Sequence, residues 1–176
     1  NPELVHYLTY HATDSIAWLE KEGVEFRDKI GAATGSLGQR SHYGKKPAGW
    51  AYTSVFEQRL KAFGDRVVIL TNTPAKHLIV KNGRVAGVKA LRHGRQPVTV
   101  NAASTVIATG GFGANIALRQ QVNTGVWKEV KLDSRIGTTN INGAAQGDGL
   151  ALAREAKADI IGLSDIQLHP NGTPGT

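Results

Sequence analysis

The chain has 176 residues, 40% apolar and 20% charged, which suits one buried core and argues against disorder. It has no cysteine, so disulfides, thiolate metal sites and a cysteine nucleophile are excluded, and any redox chemistry requires a bound cofactor. The net charge of +7 suits small acidic ligands; the 21 Lys and Arg are scattered without interleaved aromatics, which argues against nucleic acid. No apolar run approaches the ~20 residues of a membrane span, and we expect a cytoplasmic protein. The chain opens without methionine directly on a helix start, Asn1-Pro2-Glu3, and reads as an internal segment of a longer protein.

Asn1 suits a cap and Pro2 a first helical position, and Leu4, Val5, Leu8, Ala12, Ile16 and Leu19 recur at helical spacing up to Gly23. A short strand is expected at Val24–Phe26, then a loop over 31–49 containing His42 and Tyr43. A second helix is predicted from Trp50 to Phe63, with Ala51, Val55, Phe56 and Leu60 on one side and Gly64 as its stop. Strand-like runs follow at Val67–Leu70, Lys76–Val80, Arg84–Leu91, Pro97–Val100 and Thr105–Ala108. Asn82-Gly83 supplies the positive φ residues of a tight hairpin, and Gly94-Arg95 serves the next turn. A short helix is expected near Ile116–Val122, then a polar linker with Trp127, and a last helix from Asp148 with Leu150, Leu152, Ala153 and Ala156 inward.

Three segments have the residue types of a binding site. The first is Thr109-Gly110-Gly111-Phe112-Gly113 at a strand end, where absent Cβ atoms let backbone amides approach a phosphate or ribose; by itself the pattern also describes a tight turn. The second is Thr138-Thr139-Asn140 followed by Gly143-Ala-Ala-Gln-Gly-Asp-Gly149. Asp148 there either caps the helix or faces a cofactor beside the positive helix end. The third is Gln167-Leu168-His169-Pro170, in which Pro170 holds His169 extended, as a carboxylate donor or as an ordinary hydrogen-bonded histidine. His6, His11, His42, His77 and His93 have no motif around them, and Arg119 and Arg135 read as solvated. No Gly-x-Gly-x-x-Gly fingerprint occurs in these residues.

Taken in order, these three segments resemble the flavoprotein of soluble fumarate reductases. The pattern extends to the wider group of succinate dehydrogenase flavoprotein, L-aspartate oxidase, urocanate reductase and 3-ketosteroid dehydrogenase. The Asn82–Val88 hairpin and the helix after Gly49 fit as well, so the resemblance covers most of the chain. It implies an α/β fold, a fragment of a Rossmann-like FAD-binding domain with an antiparallel β-meander, which looks α+β when isolated. Residues 1–165 would be part of that domain, without its first βαβ unit, and 166–176 a hinge into a capping domain.

The resemblance also implies roles. Thr109, Gly110 and Gly111 would lie close to FAD, Ala75 would lend its backbone to the adenine, Asp148 would touch the cofactor, and Gln167 would face the flavin. His169 would hydrogen-bond one carboxylate of a dicarboxylate or related substrate. No catalytic residue and no metal ligand is expected here, since the group's proton donor is an arginine of the cap. The electron donor, a domain or a subunit, is left open. Two departures stand out: the loop before Asp148 is one residue longer than the usual Gly-Ala-Thr-Gly-Asp-Gly, and His169-Pro170-Asn171 replaces His-Pro-Thr, leaving the substrate open. The implied reaction is hydride transfer from flavin N5 to an activated C=C bond. The competing readings are a flavin-dependent dehydrogenase of the same group acting on a steroid or amino acid, a non-catalytic α+β binding module, and last a basic nucleic-acid binder. The segment alone is expected to lack reductase activity and to bind FAD weakly or not at all.

Overall fold

The computed structural model describes residues 1–33, 36–138 and 144–168. The chain divides into two compact units, Asn1–Ile69 and Leu70–Thr176.

In the first unit, α1 (Pro2–Glu22) has the expected bounds: Asn1 Oδ1 accepts from Glu3 N at 2.9 Å, and Gly23 ends the helix at φ 109°. Its apolar stripe is only partly covered. Ile16 and Leu19 are half-buried, but Leu4 and Leu8 are each 68% exposed. The reason is that α2 (Trp50–Ala62) meets only the C-terminal end of α1, through Trp18 and Phe56, whose ring centroids are 5.9 Å apart, and an Arg59–Glu22 ion pair of 2.7 Å. Val24 and Ala51 are the buried apolar residues of this unit. The strand expected at Val24–Phe26 is reduced to one bridge between Phe26 and Gly44, and a second bridge joins Gly31 to Ser41. Isolated bridges pinch the loop without building a ladder. The run Val67–Leu70 also forms no ladder, and Val68 is 78% exposed.

The second unit holds an antiparallel meander, β1 (Ala75–Lys81), β2 (Arg84–Arg92) and β3 (Gln96–Asn101), in that spatial order. Asn82 (φ 50°) and Gly83 (φ 74°) make the first turn as expected. The second turn places positive φ at His93 (49°) and Gly94 (71°), one residue earlier than the sequence suggested, because Arg92 pairs with Gln96 across a three-residue loop. This meander is the only ladder among the described residues, hence the α+β look expected of the isolated chain. Thr105–Ala108, expected as a strand, pairs with no described segment and leaves Val106 87% exposed. A strand of that apolar kind needs neighbours on its flanks, and no described residue supplies them.

Two helices complete the unit. In α3 (Ile116–Gln121), Asn115 Oδ1 accepts from Leu118 N at 3.0 Å. In α4 (Asp148–Glu155), Leu152 is buried and Leu150, Ala153 and Ala156 are partly or half covered, the inner face the periodicity predicts. The end of α4 is fastened to the free edge of β1: Leu78 N donates to Glu155 Oε2 at 2.8 Å, and His77 Nδ1 lies 2.8 Å from Glu155 Oε1. No helix among the described residues is long and apolar enough to cross a membrane.

Candidate cofactor site

The apolar run Thr105–Ala108 leads into the turn Thr109–Gly113, where the backbone opens outward. Gly110 takes φ 77°, and nothing lies within 4 Å of where a side chain would begin at Gly110 or Gly111. None of the amides of residues 109–113 donates to a backbone carbonyl among the described residues. Unpaired amides beneath open space are what an anionic or acceptor-rich ligand needs.

The second glycine segment docks onto the first. Gly147 N donates to Gly111 O at 3.2 Å, Ala114 N to Ala145 O at 3.1 Å, and Asn115 Nδ2 to Gln146 O at 2.9 Å. The contact is too close for side chains: a Cβ on Gly147 would come within 2.8 Å of Leu118 Cδ2, and one on Gly149 within 2.8 Å of Ile107 Cγ2 and onto Thr109 Oγ1. The helix is capped by Gly147, at φ 84°, and not by Asp148. Asp148 is the first helical residue, exposed, and makes no hydrogen bond or ion pair with the described residues. The capping alternative is therefore not the one adopted, and the carboxylate stands beside the free amides of the helix start. Between Ile107–Gly110 and the residues Gly149, Leu150 and Ala153 runs an open groove of about 350 Å³, which Asp159, Ile160 and Ile161 also line.

Arg119 overturns the expectation of a solvated side chain. It is 6% exposed, and its guanidinium donates to Leu132 O (2.9 Å), Gly113 O (2.8 Å), Ile136 O (2.7 Å) and Asp133 O. A planar fork with five N–H groups can satisfy four carbonyls at once. It thereby ties the end of the glycine turn to the loop 132–136. Arg135, by contrast, is exposed as expected; its bidentate pairing with Asp133 (2.9 and 3.0 Å) holds the Asp133 carboxyl below its ordinary range.

Of the other candidates, the described residues bring only Thr138 next to this centre. Thr138 Oγ1 lies 3.6 Å from where a side chain would begin at Gly113, so Thr138 adjoins the turn; Thr139 and Asn140 lie outside the described residues. Ala75 begins β1 opposite Ala90 and is connected to the glycine segments only indirectly, through Glu155 at the far end of α4. Gln167 is exposed at the end of the segment 162–168, and His169 lies outside the described residues. Among the described residues no group of three or more His, Cys, Asp or Glu could hold a metal ion. Two positions escaped the sequence reading: Arg119, and Trp127, whose Nε1 donates to Ile166 O at 2.7 Å. Neither lies in a motif, and only the tertiary contacts reveal them.

Two docked glycine segments with unpaired amides, reached from a strand-like run and followed by a helix, form a candidate cofactor site on an α/β scaffold. The residues fit the group: the open glycines leave room and the amides are free to donate. Residues 1–176 match the FAD binding domain family across their whole length. The chain belongs to that family, and the similar proteins lie in its fumarate reductase flavoprotein group.

An NADH:acrylate oxidoreductase of Vibrio harveyi is 36% identical over 174 residues, covering 98% of this chain and 17% of that protein. An NADH:fumarate oxidoreductase of Klebsiella pneumoniae is 28% identical, covering 97% of this chain and again 17% of the relative. A cytochrome-type fumarate reductase of Shewanella frigidimarina is 28% identical over 97% of this chain and 28% of its own length. The chain thus spans less than a third of each of these relatives. The open conformation of a flavocytochrome c3 fumarate reductase superposes with a TM-score of 0.69 over 84% of this chain and 25% of that one, at 23% identity, which establishes the shared fold.

Proposed function

We propose that this chain supplies part of the FAD site of an oxidoreductase that reduces the C=C bond of fumarate or a related unsaturated carboxylate. The observation that carries the reading is the docking of Gly147 on Gly111 and of Gly149 on Ile107 and Thr109, which sets the free amides of the glycine turn against the start of the helix that Asp148 opens. Bound there, the reduced flavin would supply the hydride that adds to the alkene.

The chain's own residues bind and orient. Amides of Thr109, Gly110 and Gly111 donate toward the cofactor, Asp148 accepts from it, Ala75 serves the adenine through its backbone, and Gln167 faces the flavin. His169 holds one substrate carboxylate; it is a clamp and not the proton donor. In this reading residues 1–165 are part of the FAD-binding domain and 166–176 lead into a capping domain, with the glycine fingerprint and the proton-donating residue supplied elsewhere in the parent protein. An acrylate oxidoreductase and fumarate reductases among the relatives support this substrate class, and the acrylate oxidoreductase shares more identity with this chain than the fumarate-named ones. A donor such as NADH or a cytochrome is likewise supported by those relatives.

The test is FAD titration into the parent-length protein, with oxidation of a reduced viologen by fumarate or acrylate as the assay. Flavin binding with turnover, and a loss of about 2–4 kcal/mol in transition-state stabilisation for His169→Ala, supports the reading. Flavin binding without turnover moves the substrate to another member of the group. A parent protein that takes up no flavin overturns it.

A further inference from the structure

We propose that Trp127 is a positioning residue for the substrate-side segment, holding Ser164–Leu168 at the distance from the glycine turn that Gln167 requires; this rests on the function proposed above. Its indole Nε1 donates to Ile166 O at 2.7 Å, one residue before Gln167. The ring is half-buried, so the bond is sheltered from competing water.

The contact is built from both sides. Gly125 lies so close to Ser164 that a Cβ there would come within 2.7 Å of its carbonyl oxygen. The turn is held in shape by Asn123, whose Nδ2 donates to Trp127 O at 2.7 Å and Val130 O at 3.0 Å. Asn123 follows α3, which is fixed to the cofactor side at two points: Asn115 Nδ2 reaches Gln146 O at 2.9 Å, and Arg119 Nη1 reaches Gly113 O at 2.8 Å. A continuous path of hydrogen bonds and one short helix therefore runs from the glycine turn to Ile166. Segment 162–168 has no helix or strand to fix it. Its register relative to the cofactor depends on this path, and Trp127 makes the last link.

A positioning role separates binding from chemistry. In the parent-length holoenzyme, Trp127→Phe keeps an aromatic six-membered ring and removes the five-membered ring that has the donor. The expected result is a KM for the unsaturated carboxylate, and a dissociation constant for its saturated product read from the flavin spectrum, each raised about tenfold. That corresponds to about 1.4 kcal/mol, within the worth of one hydrogen bond. The kcat should stay within about twofold, FAD content should not change, and amide exchange across 164–168 should quicken. Val126→Ala, on the exposed part of the same turn, should behave as wild type.

An unchanged KM with retained FAD overturns the inference, even if exchange quickens, because the bond would then be merely structural. Should Trp127→Phe fail to fold, Gly125→Ala decides: displacing Ser164 must raise KM in the same way, and an unaltered KM there overturns the proposal. Wild-type enzyme that holds flavin yet neither reduces nor binds any such carboxylate removes the underlying reading, and this inference with it. Normal wild-type turnover with an indifferent variant removes only the role of Trp127.

Discussion

Gly149 packs against Ile107 so closely that a Cβ would come within 2.8 Å of Ile107 Cγ2, which makes the start of α4 and the approach to the glycine turn one mechanical piece. Gly149→Ala must push the helix away or twist Thr109. We expect a loss of about 1–3 kcal/mol in urea unfolding, typical of overpacking, and weaker FAD binding by the parent protein. Equal stability and equal affinity would show that the helix start tolerates displacement.

Arg119 is the second sensitive point. Arg119→Met keeps the volume but leaves the carbonyls of Gly113, Leu132, Asp133 and Ile136 without that donor. Each orphaned buried acceptor costs about 1–3 kcal/mol unless water reaches it, so the total loss should be about 3 kcal/mol or more. Arg119→Lys should recover part of it, because one ammonium cannot reproduce the fork. Chemical denaturation of the three proteins measures the series.

Gly87 lies in β2 with φ 149°, and a Cβ there would run into Val100 O and come within 3.0 Å of Asn101 Cα. The obstacles are backbone atoms of β3, which a rotamer change cannot clear. Gly87→Ala should therefore open the β2–β3 ladder and lower Tm, at a cost of about 2 kcal/mol or more from combined strain and overpacking. Faster amide exchange confined to β3 and its partners would locate the damage.

Glu155 gives the expected pH dependence. The Leu78 amide, and then the His77 side chain, hold its carboxyl below the ordinary glutamate value. A depressed folded pKa means the contact contributes fully above the unfolded value and is lost as pH falls through the folded one. Glu155→Gln should therefore be less stable than wild type near neutral pH, with the gap closing below about pH 4.3, the usual glutamate range. Paired denaturation curves at pH 7 and pH 3 check this; a gap that is constant with pH would exclude an ionised contact.

Much of the fold was legible where the cause is local. The caps of α1, the turn at Asn82-Gly83 and the inner face of α4 follow from spacing and from residues within a few positions. Long-range pairing was not legible. Val67–Leu70 and Thr105–Ala108 have strand composition, but a ladder requires partners that composition does not name. In the site, both glycine segments stood out in the sequence, whereas their mutual docking did not. Asp148 was read as a cap or a ligand-facing acid, and the structure gives the cap position to Gly147 instead. Arg119 was read as solvated because arginine usually is; its acceptors come from residues 113 and 132–136, too dispersed to form a motif.

The bond from Leu78 N to Glu155 also acts as a guard. An edge strand with open amides is a template on which another chain can add itself as a further strand. Here a carboxylate takes the place such an intruder would occupy, at the middle of β1, and lends that border a negative charge. Protonation in acid would withdraw the guard, so clumping of this protein at low pH should begin along β1, and glutamine at position 155 should bring it on at milder acidity.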